Sequence, residues 1–398
     1  MSFKFLLNSV SIGERKIPIA YIIWFALAFI AVLAELLHHA INNYLIFKNV
    51  FWHVVQQKSL YIGYPEEYFD HNLYGPVFCF VIAPFAIFPD WIGVILWVLF
   101  NAAFLFYAIK QLPLPEKTTR VILLISVIEF MTACHNVQFN PMVAAWIILS
   151  YTFVAKGKDF WGTFFLVLGL LSKVYGIVGV VFFFFSKHKL NYIGFFIFWL
   201  IVLFSLPMLI SSPAFIMQAY KDWIVSLSQK NLHNIELSDI NMQDLSVMGM
   251  IRRIFNYQQL SNLSVLVPAA ILMGLPLLRW RLYKYTAFQL QYLALALISV
   301  VVFSSGAESA TYVIAMVGVA IWFVVNGQAE NRTNIILLIF ALVVTSLGST
   351  DLIPNVIKHK LIRAYSLKAL PCFIVWSILI YNVTFKKEAA LSYQSEIE

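Results

Sequence analysis

The chain has 398 residues, of which 61% are hydrophobic and only 12% are charged, and its mean hydropathy is +0.83. Soluble globular domains are nearer half apolar and a quarter charged, so this composition excludes that class. The formal net charge is +8. Most basic residues lie in short links between apolar runs, where a positive-inside bias places them. The charge therefore indicates membrane topology and not a nucleic-acid partner.

Apolar runs long enough to cross a bilayer recur from one end of the sequence to the other. They are continuous, whereas the strands of a membrane barrel alternate apolar and polar residues. The sequence predicts an all-α polytopic membrane protein that forms a single integral membrane domain over residues 1–398. With about 20 residues per crossing, we expect about 12 transmembrane helices. The first span is expected from Pro18 to His38.

Residues 40–76 follow the first span and are predicted to form the first outer loop. Within them, Phe47, Phe51, Val54 and Val55 share one face of a helical stretch at 44–58, which is typical of a helix lying in the membrane interface. The loop therefore contains a predicted interfacial helix.

Residues 75–89 form the next apolar segment, which is interrupted by three prolines and is too short for an ordinary crossing. We expect a short or re-entrant segment there. Farther along, residues 160–185 form one apolar run that is interrupted by Ser172-Lys173-Val174-Tyr175-Gly176. Residues 212–262 are the longest polar stretch, and we predict a large outer loop.

The basic links and the other polar stretches are predicted to lie on opposite sides of the membrane. If each basic link faces the cytoplasm, the remaining polar stretches face the opposite side of the membrane. These stretches are Asn42–Pro76, His135–Pro141, Ser172–Tyr175, residues 212–262 and Ser304–Ser309. We therefore expect a functional site on the outer face.

Several short motifs, taken in order, resemble those of glycosyltransferase family 87. Their counterparts here are Tyr74-Gly75-Pro76 for the usual Tyr-Pro-Pro, Asn136-Val137-Gln138-Phe139-Asn140 for a Gly-Gln-x-Asn element, Ser172-Lys173-Val174-Tyr175-Gly176 for a lysine element, and Gln243-Asp244-Leu245-Ser246 with Arg252 and Arg253 for a Gln-Ser-Leu-like patch followed by arginine. The resemblance covers residues 18–330 in order.

This resemblance implies a type C glycosyltransferase-like fold and a polyprenyl-phosphate-sugar-dependent hexosyltransferase. The implied donor sugar is mannose, and the expected acceptor is a lipid-linked or envelope glycan on the outer face. The expected location is the bacterial inner membrane, with membrane lipid as a further partner. We expect no cofactor, although the oxygen ligands of Glu66, Glu67 and Asp70, together with His71, leave a divalent metal as an alternative.

One position departs from the family pattern. The family's expected base is an aspartate near the start of the first outer loop, and Asn43 occupies the matching position. An amide cannot accept the proton of a sugar hydroxyl. Either Asp70, our first choice, or Glu67 has become the general base, or another residue aligns with the family's aspartate, or the activity has changed or been lost. Both carboxylates could instead merely solvate a surface loop.

Lys173 is the leading candidate for binding the donor phosphate, because ionisable groups inside apolar runs are usually functional. The alternative is a lysine that reaches the interface from a helix end. Arg252 and Arg253 could clamp the phosphate or form an ordinary cluster at the membrane edge. The full predicted substrate-binding set is Asn43, His71, Tyr74, Gln138, Asn140, Lys173, Tyr175, Gln243, Arg252, Arg253 and Glu308.

Two other functional classes are open. A transporter or flippase of a lipid-linked sugar would also have many spans and buried charges, but it predicts internal repeats and binding residues near the membrane midplane. A non-catalytic relative that binds the lipid carrier is the other alternative, and Asn43 favours it.

Overall fold

A computed structural model describes residues 3–236, 244–326 and 331–386. Gln243, one of the predicted substrate-binding residues, lies outside these ranges. The described chain is predominantly helical, as the apolar runs predict, and it adds one short β-hairpin. The α-helices are α1 (Ile19–Leu37), α2 (Asn42–Gln56), α3 (Phe78–Ala86), α4 (Asp90–Lys110), α5 (Glu116–His135), α6 (Asn140–Ala155), α7 (Asp159–Ser172), α8 (Lys189–Ser205), α9 (Pro213–Glu236), α10 (Val247–Ile254), α11 (Leu263–Gly274), α12 (Thr286–Val302), α13 (Tyr312–Val325), α14 (Arg332–Phe340), α15 (Asn355–Ile357) and α16 (Ala369–Phe385).

Short 3₁₀ and π segments extend or connect these helices. The 3₁₀ segments are Phe3–Leu7, Val174–Phe185, Leu206–Leu209, Leu275–Leu278, Trp280–Leu282, Ser309–Thr311 and Leu347–Ser349, and the π segments are Ala341–Ser346 and Lys358–Arg363. The hairpin pairs β1 (Ser9–Ile12) with β2 (Arg15–Pro18) in antiparallel register, with Ser9 opposite Pro18.

Five helical stretches in the described ranges are long and apolar enough to cross a membrane: Ile19–Leu37, Asp90–Lys110, Glu116–His135, Lys189–Leu209 and Arg332–Ser349. Shorter apolar helices are Asn140–Ala155, Asp159–Ser172, Val174–Phe185, Leu263–Leu278, Thr286–Val302, Ser309–Val325 and Ala369–Phe385. The protein is therefore an all-α membrane protein. The expected number of about 12 crossings and the type C fold stay predictions.

The chain divides into two compact units. One unit, which we call the site unit, comprises Ile22–Leu112 and Met131–Lys230. The other, which we call the second unit, comprises Met1–Tyr21, Pro113–Phe130 and Asn231–Glu398. In the site unit α2 packs on α3, α4 packs on α6, and α7 packs on both α6 and α8. An aromatic core fills this unit, in which Phe78 and Trp97 both meet the ring of Phe139.

Helix α2 occupies the stretch for which the sequence predicts an interfacial helix. Phe47 and Val54, from the predicted apolar face, are 1% and 0% exposed. Val55 points away from this core and is 41% exposed. Helix α3 has only nine residues, which agrees with the prediction of a segment too short to cross.

The apolar run at 160–185 is divided in two, as its sequence predicts, because α7 ends at Ser172 and a 3₁₀-helix covers Val174–Phe185. A 3₁₀-helix rises about 2 Å per residue, compared with about 1.5 Å in an α-helix. This 12-residue segment therefore extends about 24 Å instead of about 18 Å. The stretched geometry partly compensates for the small number of residues.

The second unit is organised around α12 and α13, and α16 packs against both. Helices α12 and α13 are buried along almost their whole length. A buried ion pair joins the Nζ of Lys368 to Oε1 of Glu129 at 2.8 Å, and Lys368 also donates to Ser309 and Ser349. Glu129 therefore has the bonding partner within the bundle that its position in an apolar helix requires.

Candidate active site

The candidate site in the site unit is built around a break between two helical segments. Helix α7 ends at Ser172, Lys173 is extended with φ −148° and ψ 117°, and the 3₁₀-helix begins at Val174. Gly176 lies so close to α7 that a Cβ there would come within 2.3 Å of the carbonyl carbon of Gly169. A residue with a side chain could not approach so closely, so glycine allows the two segments to pack on either side of Lys173.

The ammonium of Lys173 lies among an amide and two aromatic rings. Its Nζ donates to Oδ1 of Asn140 at 2.7 Å, and Asn140 is 1% exposed in the first turn of α6. The centroids of the Tyr175 and Tyr74 rings lie 4.8 Å and 5.7 Å from the same Nζ. A cation held this way is a point charge that can bind a phosphate group.

Tyr74 is oriented by a local turn and by the aromatic core. The side chain of Asn72 accepts from the backbone N–H of Tyr74 at 3.0 Å and donates to its carbonyl at 3.2 Å. The ring stacks on Phe78 at 4.8 Å and meets the edge of Phe139 at 5.6 Å. These contacts hold the Tyr74 ring on the side of the core that faces Lys173.

Gly75 joins the loop between α2 and α3 to the end of α7. Its backbone N–H donates to the carbonyl of Ser172 at 3.0 Å. A Cβ at this position would lie 1.9 Å from the carbonyl oxygen of Leu171. Two residues before Gly75, the carbonyl of Leu73 accepts from the indole N–H of Trp223 at 2.9 Å. The loop is thus fixed against two helices immediately beside Tyr74.

Asp70 projects into solvent from a constrained backbone. Its side chain is 58% exposed, its φ is 73°, and its Oδ1 accepts from the backbone N–H of His71 at 2.9 Å. The preceding residue, Phe69, is held by the side chain of Asn42, which accepts from its N–H at 2.7 Å and donates to its carbonyl at 2.8 Å. Asp70 is therefore an accessible carboxylate at a defined position.

Glu67 is less accessible than Asp70 and is already paired. Its Oε2 lies 2.7 Å from Nε2 of His53, its Oε1 lies 3.8 Å from Nζ of Lys58, and its side chain is 30% exposed. His53 is 2% exposed, and burial lowers its pKa below the ordinary value of 6.5 even though Glu67 acts in the opposite direction. Glu66, by contrast, is an exposed residue of the loop.

Asn43 contacts a second loop of the site unit. Its amide donates to the carbonyl of Asn136 at 2.8 Å. The neighbouring residue, His135, places its Nδ1 2.8 Å from Oε1 of Glu35, which is 18% exposed near the end of α1. This carboxylate–imidazole pair is not among the site residues predicted from the sequence. The position of Glu35 in an apolar helix could have marked it as a candidate functional residue. Its partner, however, lies 100 residues away in the sequence.

A family model for glycosyltransferase family 87 matches residues 72–305, which is more than half of the chain. The chain belongs to glycosyltransferase family 87. The resemblance seen in the sequence is thereby confirmed, and membership implies a membrane glycosyltransferase. No curated protein matches the chain.

The family 87 match covers only part of the predicted site. It includes Tyr74 and Lys173 with their neighbours Asn140 and Tyr175, which the structure brings together. It also includes Gln138, a half-buried residue whose backbone N–H donates to the carbonyl of Ala133 at 2.9 Å. The match begins after the positions of Asn43, Glu67, Asp70 and His71. The assignment of the base therefore rests on geometry and chemistry alone.

The remaining predicted residues of this family 87 chain belong to the second unit. Arg252 is 0% exposed, and its guanidinium donates to Asp244, to the carbonyl of Leu260 and to Asn262 at 2.5–2.8 Å. Binding phosphate there would require these bonds to break. Arg253 lies 3.5 Å from the carbonyl of Asp244. Glu308 caps the short 3₁₀ segment at Ser309–Thr311.

The predicted alternative of a metal site has no support from the arrangement of side chains. Among the residues that the structure describes, no three His, Cys, Asp or Glu side chains come together in a group that could hold a metal ion. Glu67 pairs with His53 instead of joining Asp70 and His71.

Proposed function

We propose that this chain transfers a hexose, mannose, from a polyprenyl-phosphate carrier to a lipid-linked or envelope glycan acceptor on the outer face of the membrane. Family membership supports glycosyl transfer. The inference that the donor is anionic rests on the ammonium of Lys173, which Asn140 holds between the rings of Tyr74 and Tyr175. A lipid-phosphate sugar supplies the negative charge that such a group can bind.

The proposed reaction is a single displacement with inversion. The oxygen of an acceptor hydroxyl forms a bond to the anomeric carbon while the bond from that carbon to the phosphate oxygen breaks. The electron pair of the breaking bond leaves with the polyprenyl phosphate, and Lys173 stabilises that charge. Asp70 accepts the proton of the attacking hydroxyl, because it is the more exposed of the two candidate carboxylates and Glu67 is held by His53.

The direct test uses the purified protein in lipid nanodiscs with radiolabelled polyprenyl-phosphate mannose and extracted envelope glycolipids as acceptors. We expect label in the glycolipid fraction, formed at least about 100-fold more slowly by Asp70→Asn. Polyprenyl-phosphate glucose and galactose, offered in parallel, test the sugar. Transfer from another hexose alone would contradict mannose, and transfer from none of the donors would contradict the proposed function.

The same preparation separates the rival functions. A flippase reconstituted in liposomes would move the lipid-linked mannose between leaflets without attaching the label to an acceptor. A non-catalytic relative would bind the donor and leave it intact. Attachment of the label to the glycolipid is expected only of a transferase.

Sidedness is tested by labelling single cysteines with an impermeant thiol reagent in intact cells. Glu66 lies in the loop between α2 and α3, and Lys158 lies in the link between α6 and α7; both are exposed, whereas Cys79, Cys134 and Cys372 are buried. We expect Glu66→Cys to react in intact cells and Lys158→Cys to react only after permeabilisation. The reverse pattern would contradict a site on the outer face.

A further inference from the structure

Phe69 combines high exposure with a firmly held backbone. Its side chain is 77% exposed, the highest value among the aromatic side chains of the loop between α2 and α3. The side chain of Asn42 nevertheless makes two hydrogen bonds to its backbone, at 2.7 Å and 2.8 Å. Large apolar side chains in solvated loops usually bury themselves when the chain is free to move. Here Asn42 holds the backbone of Phe69, and the ring lies outside the core.

Charged groups flank the ring and disfavour its burial in hydrocarbon. Asp70 and His71, the next two residues, are 58% and 57% exposed, and Glu66 is exposed as well. Placing Phe69 in the acyl region would also remove water from these groups, and burying an unpaired charge is costly. The surroundings of the ring therefore favour a partner that is partly polar and approaches from water.

A sugar ring has the required surface. One face of a hexose presents C–H groups that pack on an aromatic ring, and its edge presents hydroxyl groups that donate to a carboxylate. Phe69 and Asp70 offer these two features from adjacent positions of one constrained backbone, on which Asp70 has a φ of 73°. Small-molecule sites commonly combine an apolar contact surface with a few placed polar groups in this way.

We propose that Phe69 stacks on the acceptor sugar and that Asn42 is a positioning residue, which holds the backbone so that the sugar's hydroxyl meets Asp70. This proposal rests on the proposed function, because it assigns the acceptor subsite of the same reaction. It adds two residues, one for contact with the acceptor and one for the orientation of the base.

The kinetic test measures transfer from polyprenyl-phosphate mannose while donor and acceptor concentrations are varied separately. We expect Phe69→Ala to raise the KM for the acceptor about 10-fold, the upper range for an aromatic contact, with the donor KM unchanged. Phe69→Trp should restore the acceptor KM. Trp91→Ala is the matched control, because Trp91 is an aromatic residue of the same unit that is 61% exposed outside the site.

Asn42→Ala distinguishes positioning from folding. Loss of the Asn42 side chain should raise the acceptor KM and lower kcat. The melting temperature and the donor KM should stay close to those of the parent protein. Unchanged acceptor kinetics in both Phe69→Ala and Asn42→Ala, in an active enzyme, would overturn the proposal.

A binding measurement makes the outcome independent of turnover. Phe69→Trp is labelled with 5-fluorotryptophan, and its ¹⁹F resonance is followed in nanodiscs during titration with methyl α-mannoside, methyl α-glucoside and methyl α-galactoside. A shift of the Trp resonance at position 69, with that of Trp91 unchanged, is the expected result. No shift with any of the three sugars, or broadening by spin-labelled lipid instead, would overturn the acceptor subsite even if the transferase activity is established.

Discussion

The ammonium of Lys173 and the side-chain oxygen of Asn140 lie 2.7 Å apart although 33 residues separate them in the sequence. Asn140 is at the start of α6, and Lys173 follows the end of α7, so antiparallel packing of these two helices brings the groups to one end of the site unit. The amide accepts one of the lysine's hydrogen bonds and orients the ammonium towards the rings of Tyr74 and Tyr175.

The first prediction concerns this ammonium. Lys173→Met removes the charge and keeps a chain of similar length, so donor binding should weaken by about 1.5–3 kcal/mol, or about 10- to 100-fold in Kd. Binding of polyprenyl-phosphate mannose to protein in nanodiscs measures this effect. The matched control is Lys189→Met, because Lys189 also lies over an aromatic ring but bonds to the carbonyls of Phe183 and Phe184. Equal donor affinity in both variants would contradict the proposed role of Lys173 in binding the donor phosphate.

The second prediction concerns the base. Asp70→Asn keeps the size and much of the hydrogen bonding of the side chain but cannot accept a proton. We expect kcat to fall by at least about 100-fold, with donor binding retained. Glu67→Gln is the comparison and should have a smaller effect on kcat, because Glu67 is engaged by His53. If Asp70→Asn is active and Glu67→Gln is inactive, the base is Glu67. If both are active, the base lies elsewhere, and the Glu35–His135 pair becomes the next candidate.

The sequence predicted the local features of this site but not its long-range pairs. The end of one helix beside Lys173 follows from the polar interruption of an apolar run, and α1 follows from hydrophobicity and length. The contact of Asn42 with Phe69 and the pair of Glu35 with His135 depend on how separate elements pack. Periodicity within one element carries no information about such partners.

Apolar patterning also misjudged some details of exposure. Val55 was placed on the apolar face of α2 by a simple helical repeat, yet it is 41% exposed, whereas His53 is 2% exposed. His53 tolerates this position because Glu67 provides a hydrogen-bond partner, and a propensity scale does not include that partner. The burial of His53 in α2 therefore depends on a contact that only the folded loop supplies.

The third prediction follows from the burial of His53. Its folded pKa is lowered below 6.5, so the unfolded chain binds a proton more readily than the folded chain does. The corresponding stability is present above about pH 6.5 and is lost as the pH falls through the lowered pKa. Melting temperatures recorded from pH 7.5 to pH 5 should decline more steeply for the parent protein than for His53→Gln. Parallel curves for the two proteins would contradict this assignment.

The fourth prediction concerns the ion pair of Glu129 and Lys368, whose side chains are 0% and 1% exposed. Lys368→Met leaves a buried carboxylate without its cation and should destabilise the protein by about 3–5 kcal/mol. Glu129→Gln in the same chain removes the unpaired charge and should recover part of that loss. Thermal unfolding in detergent of the parent, both single variants and the double variant measures the coupling. Additive effects of the two substitutions would show that the pair is not energetically coupled.

The last prediction concerns Gly75, which departs from the family pattern because family 87 usually has proline at this position. The N–H of Gly75 donates to the carbonyl of Ser172, and a Cβ would lie 1.9 Å from the carbonyl oxygen of Leu171 and 3.0 Å from the ring of Trp223. Proline would bring both the clash and the loss of the donor.

We therefore expect Gly75→Ala to cost about 1–3 kcal/mol through overpacking, and Gly75→Pro to cost about 1 kcal/mol more through the lost hydrogen bond. Gly194→Ala is the matched control, because a Cβ at Gly194 in α8 would meet nothing within 4 Å. It should leave the melting temperature unchanged or raise it, since alanine favours a helix. Because Gly75 fixes the loop beside Tyr74, both Gly75 variants should also weaken donor binding. A Gly75→Pro protein with the parent's melting temperature and donor affinity would show that the loop tolerates the family's usual residue, and that the contact with Ser172 is dispensable.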